Sequence, residues 1–131
     1  MNKRNALTGI FGSLLLVFSL MSHAAEGEYY SDMKIVLTGN TVEGKISKHD
    51  MNYKMYFHPS GALIRIVDRG NAEKGKWRMN GETELCLKFA TEECRTIEKR
   101  GEGRYDLYDK NGELGLTIVK VTIGNPEKMK H

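Results

Sequence analysis

Asn52-Tyr53-Lys54-Met55-Tyr56-Phe57-His58-Pro59-Ser60-Gly61-Ala62-Leu63-Ile64-Arg65-Ile66-Val67-Asp68 holds two runs of β-branched, aromatic and apolar residues divided by Pro-Ser-Gly. In the first run Tyr53, Met55 and Phe57 fall on alternate positions, the period of a half-buried strand. Three turn residues are too few for a crossover helix, so the two runs pair antiparallel as a hairpin.

The pattern repeats on both sides at intervals of roughly ten residues. Candidate strands cover 41–47, 52–58, 62–68, 76–79, 83–89, 94–98, 104–108 and 113–123. Their separators include Arg69-Gly70-Asn71, Asn80-Gly81, Gly101-Glu102-Gly103 and Asp109-Lys110-Asn111-Gly112. Glycine and asparagine tolerate the positive φ that tight hairpin turns require. The fold expected is mainly β: an antiparallel meander of about eight short strands forming a small barrel or a sandwich, since an open sheet of that size leaves exposed edges. Ahead of it, Ser31 to Gly39 reads as a short helix, with Ser31 as N-cap and Gly39 in the left-handed position that ends it; a strand through Ile35-Val36-Leu37, favoured by its β-branched residues, is the competing reading.

Alternation nominates a core of Tyr53, Met55 and Phe57; Ile64 and Ile66; Trp77 and Met79; Leu85, Leu87 and Phe89; and Leu114, Leu116 and Ile118. Cys86 then points away from Leu85 and Leu87. If Cys86 and Cys94 sit opposite one another across a hairpin centred on Ala90, they form a disulfide on the polar face shared by Glu84, Lys88, Glu92 and Thr96. Their spacing is unlike the Cys-x-x-Cys of reactive thiols, so the bridge is structural.

Residues 1–24 read as a cleavable export leader of bacterial type: Met-Asn-Lys-Arg, an apolar run over 10–20, and Ser22-His23-Ala24 ahead of the cut. That run is shorter than the ~20 residues a membrane-spanning helix needs, so no stable membrane anchor is expected after cleavage. The mature chain, 25–131, is one β-rich domain with a polar tail at 124–131 expected to fray. The expected location is periplasmic or secreted, where paired cysteines oxidise. Without Lys3 and Arg4 the mature chain has 18 basic against 17 acidic residues. That balance argues against a nucleic-acid partner, which needs a cationic surplus to displace phosphate counterions.

No nucleophile–base arrangement is legible from His49, His58 and His131, the histidines of the mature chain, so an enzyme is not expected and no cofactor is implied. Asp106 to Gly112 looks superficially like a calcium loop but lacks the closing glutamate, and reads better as a hairpin turn. The soft ligands His49, Met51 and Met55 would share one side of a strand and suit copper(I); a core stripe is the competing reading. Tyr56, Trp77 and Tyr108, with Tyr29, Tyr30 and Tyr105, are candidates for lining a ligand cavity.

Gly39-Asn40-Thr41-Val42, Tyr56-Phe57-His58-Pro59-Ser60-Gly61, Gly75-Lys76-Trp77-Arg78, and Leu85-Cys86 with Cys94 downstream resemble a loosely defined family of small exported bacterial proteins of unknown function. The resemblance covers most of the mature domain. It implies a compact β-domain with a disulfide and supplies no activity. The functional expectation is a non-enzymatic binding or interaction domain for a small ligand or an envelope protein. Its alternatives are an inhibitor of a secreted hydrolase such as a lysozyme or protease, and a periplasmic copper-binding protein.

Overall fold

The computed structural model describes residues 33–130. The expected leader and the expected cap Ser31, with Tyr29, Tyr30 and His131, lie outside the described residues. Helix α1 spans Met33–Leu37 and ends at Gly39 with φ 75°. There Asn40 Nδ2 donates to the Val36 carbonyl, satisfying a helix-terminal acceptor. No helix among the described residues is long and apolar enough to cross a membrane.

Eight strands follow: β1 Asn40–Ile46, β2 Met51–Phe57, β3 Ala62–Val67, β4 Glu73–Asn80, β5 Glu84–Lys88, β6 Glu92–Gly101, β7 Arg104–Tyr108 and β8 Leu114–Ile123. Each pairs antiparallel with the next, and β8 returns to β1 to close a barrel. Closure decides between the barrel and the sandwich, and it leaves no strand edge unpaired. Strand direction then sorts the connections. The β1–β2, β3–β4, β5–β6 and β7–β8 turns gather at one end; α1, the other turns and the residues after β8 gather at the opposite end.

The interior is filled from that second end. Val42, Met55, Phe57, Leu63, Trp77, Leu107 and Ile118 form one cluster with Met33 and Leu37 of α1. Trp77 meets Phe57 edge-on with centroids 5.3 Å apart, and its Nε1 donates to the His58 carbonyl at 2.9 Å. Residues 124–130, expected to fray, are instead tied to this end. Thr41 Oγ1 donates to the Gly124 carbonyl, Asn125 and Met129 exchange two hydrogen bonds, and Lys54 pairs with Glu127.

The expected β3 face is corrected. Phe57 pairs with Leu63 and Met55 with Arg65, so Leu63, Arg65 and Val67 point inward while Ile64 and Ile66 face out. Leu63-Ile64-Arg65-Ile66-Val67 is apolar in both phases, and only the register against β2 selects one. Leu114 also leaves the core, 39% exposed at the rim, because the register shifts where β7 meets β8 between Leu107 and Tyr108. Strands β4 and β6 are longer than expected, since Glu73 pairs with Arg65 and Glu92 with Lys88.

Cys86 and Cys94 are direct cross-strand partners, bonded with Cα atoms 4.0 Å apart. They lie on the outer face, where Arg78 of β4 reaches across β5 to grip both carboxylate oxygens of Glu92. A closed disulfide is the state an oxidising, extracytoplasmic compartment sustains. At the closing seam, the β1–β8 register shifts between Glu43 and Gly44, and a Cβ on Gly44 would fall on the Thr117 carbonyl oxygen, far inside van der Waals contact.

Three stability outcomes follow from closure, turn and staple. Gly44→Ala forces backbone apart and is expected to cost about 3 kcal/mol. Gly81→Ala, in open space but at φ 74°, should cost about 1 kcal/mol. Replacing both cysteines by alanine should cost about 2 to 3 kcal/mol, the loop-closure entropy of so short a loop. Urea midpoints of the three variants check the order.

Candidate functional site

At the end holding the β1–β2, β3–β4, β5–β6 and β7–β8 turns the interior is not purely apolar. Inward alternation on β6 places Glu93, Arg95 and Ile97 on the core side, and on β3 it places Arg65 there. Arg65 donates from Nη2 to Glu73 at 2.8 Å, and Arg95 from Nη2 to Glu93 at 2.6 Å. The two arginine side chains are 24% and 18% exposed, their glutamates 47% and 63%. The guanidinium carbon of Arg65 sits 3.8 Å from the centroid of the Phe89 ring, a cation–π contact.

Each carboxylate takes only one terminal nitrogen of its arginine. The Nε atoms of both Arg65 and Arg95 are buried and have no hydrogen-bond partner among the described residues. A buried donor left unmade costs about 1–3 kcal/mol, more when charged. Two such donors at one barrel end are therefore a cost the fold carries rather than a source of stability.

Around them is a cavity of about 260 Å3, walled by Ile46, Leu87, Phe89 and Leu116 with Arg65 and Arg95. It adjoins a larger groove of about 920 Å3 reaching past His49, Cys94, Tyr108 and Asn111. Ile46, Glu93 and Arg95 line both. Gly115 makes room for this arrangement: a Cβ there would lie 2.6 Å from Arg95 Nε. Deeper in, Tyr53 is buried and donates its hydroxyl to the Thr117 carbonyl at 2.7 Å. Burial pushes its phenol well above the ordinary tyrosine range, and the charge of Arg95 pulls the other way without overcoming it.

The aromatic trio nominated from sequence is not brought together. Trp77 is a core residue, Tyr56 lies on the outer face edge-on to His58, and only Tyr108 borders the groove, its hydroxyl accepting from Arg100 Nη2. The copper trio also separates. His49 lies in the β1–β2 turn, not in a strand, while Met55 is sealed in the core. Met51 and Met55 are four residues apart along β2, about 13 Å at strand rise, too far for one metal ion. Among the described residues Glu84, Cys86 and Cys94 have metal-ligand spacing, but both sulfurs are committed to the disulfide. The Asp109 carboxylate accepts from the Asn111 and Glu113 amides, so it shapes the β7–β8 turn.

Arg65 and Arg95 were not nominated from sequence. The Arg95 signal was present, because outward-facing Cys94 obliges its neighbour to face inward; for Arg65 no local signal existed. Comparison with protein-family models, with curated proteins and with solved structures returned no match.

Tyr53 yields a pH outcome. Its raised folded-state pKa means the stability it confers is complete below the unfolded tyrosine value of about 10 and is lost as pH rises beyond it. Tyr53→Phe should cost about 1 kcal/mol at neutral pH, through the unpaired Thr117 carbonyl, and should flatten the alkaline decline. Urea melts at neutral and alkaline pH, beside an absorbance titration of tyrosinate, measure both effects.

Proposed function

We propose that this chain is an exported, non-enzymatic binding domain, periplasmic or secreted, that takes its ligand at the turn-bearing end of the barrel where Arg65 and Arg95 face inward. The observation that carries the reading is the difference between the two ends. One is plugged by α1, Trp77 and the tied-down residues after β8. At the other lies a partly cationic cavity of about 260 Å3, and a groove of about 920 Å3 that shares Ile46, Glu93 and Arg95 with it runs over the rim to the outer face. In the smaller cavity Ile46, Leu87, Phe89 and Leu116 stand beside Arg65, Glu93 and Arg95, and apolar walls joined by a small number of polar groups are usual in a small-molecule site. The disulfide and the leader-like residues 1–24 support work outside the cytoplasm.

The inhibitor reading draws on the rigid, stapled β5–β6 hairpin, but a recess suits a small ligand better than a protruding wedge does. The copper reading has lost its ligand set, since His49, Met51 and Met55 do not converge.

Native mass spectrometry of the protein purified from its export compartment, against the same chain refolded from denaturant, tests the reading. An added small-molecule mass in the first sample alone is the expected result. The reading fails if the two masses match and the compartment's small-molecule extract leaves the amide resonances of His49, Cys94 and Asn111 unmoved.

A further inference from the structure

We propose that the cavity between Arg65 and Arg95 is a binding site for a small organic carboxylate: one planar monoanionic head on a short apolar body. This rests on the reading of the turn-bearing end as a ligand site and names the chemistry of what enters it.

The head group follows from the arginines. A guanidinium offers a planar fork whose Nε and terminal nitrogen match the two oxygens of a carboxylate. In both arginines a terminal nitrogen is held by a glutamate and the Nε has no partner among the described residues. Each fork is thus half used, and its unused Nε is shielded from water in the resting structure, so a carboxylate reaches it as the arginine turns from its glutamate toward the cavity that both arginines line. Glu73 and Glu93 act as intramolecular stand-ins on the solvent side, where they keep the cations paired when no ligand is bound.

The charge follows from the count. Two arginines set against two glutamates leave the cluster neutral, so every charge a ligand adds also meets Glu73 and Glu93, and one such charge costs less than the two of a phosphate dianion. A monoanion adds one charge to a pair of cations that already have unmade hydrogen bonds. The body follows from the walls: Ile46, Leu87, Phe89 and Leu116 are apolar, so the remainder of the ligand gains by leaving water. The volume, about 260 Å3, lies below the roughly 300–1,000 Å3 of sites for drug-sized ligands. That excludes a long acyl chain from the cavity itself and favours an aromatic or short branched body.

Benzoate is the probe, with benzyl alcohol as its neutral counterpart and inorganic phosphate as an anion without a body. The readout is the Nε–H resonances of Arg65 and Arg95, assigned through bonds from their own backbone amides. We expect saturable shifts of both with benzoate in the millimolar range and none with benzyl alcohol or phosphate. Arg95→Gln should weaken benzoate binding at least about tenfold, the effect of one charge-assisted pair. Glu93→Gln, which removes a competing carboxylate but no wall, should tighten it about threefold, the scale of a half-exposed ion pair. If the arginine variants do not fold, the wild-type titration and Glu93→Gln decide alone. No saturable shift, an equal response to benzyl alcohol or phosphate, or weaker binding in Glu93→Gln overturns the proposal. If compartment extract moves the His49 and Asn111 amides while benzoate leaves both arginines unmoved, the carboxylate assignment fails and the binding end survives. If neither responds, both fail.

Discussion

The structure depends on how β8 closes against β1. That pairing joins residues from opposite ends of the described chain, so it gains nothing from local connection and pays the full loop-closure entropy. It also needs a backbone approach at Gly44 so close to the Thr117 carbonyl that no side chain fits between them. Tyr53, the Gly44 partner on β2, donates its hydroxyl to the same carbonyl. One glycine therefore lets the seam close, lets β8 bulge, and admits a buried phenol beside it.

Closure has an unequal consequence at the two ends. An eight-stranded barrel is just wide enough for side chains to fill, and at one end they do, with Trp77, Phe57 and the α1 residues Met33 and Leu37 forming the plug. At the other, the inner layer contains Arg65 and Arg95, whose charged heads require water or a counter-anion. The interior cannot collapse onto them as it does onto leucine, so a recess persists between Phe89, Leu116 and the arginines. Gly115 on β8 spares the space that Arg95 occupies. The asymmetry of the barrel and the chemistry of its recess thus have one origin: two cations on strand positions where alternation calls for apolar residues.

Much of the architecture was legible because it rests on local chemistry. Alternation in Tyr53, Met55 and Phe57, glycine at the turns, and the Cys86–Cys94 spacing each carry their own physical cause, and the strands, hairpins and disulfide follow from them. Three things were not legible. The face of β3 was hidden because Ile64 and Ile66 are as apolar as Leu63 and Val67, and an arginine between isoleucines suggests the outer face. The order of the tail was hidden because Asn125, Lys54 and Thr41 hold it through contacts distant in sequence. The candidate site was hidden for a deeper reason: it consists of residues that break the pattern by which the core is recognised. Such conflicts between local pattern and global fold tend to sit where function is built.

The central claim is that Arg65 and Arg95 point into a closed barrel and not out into solvent. Proton–proton Overhauser spectra of the folded domain test it most directly. The account predicts cross-peaks from the Arg95 side chain to the Gly115 α-protons and from the Arg65 side chain to the Phe89 ring, together with a Gly44–Ile118 backbone contact across the seam. Arginine side chains that show only the contacts of freely rotating surface residues, in a domain otherwise folded, would contradict it.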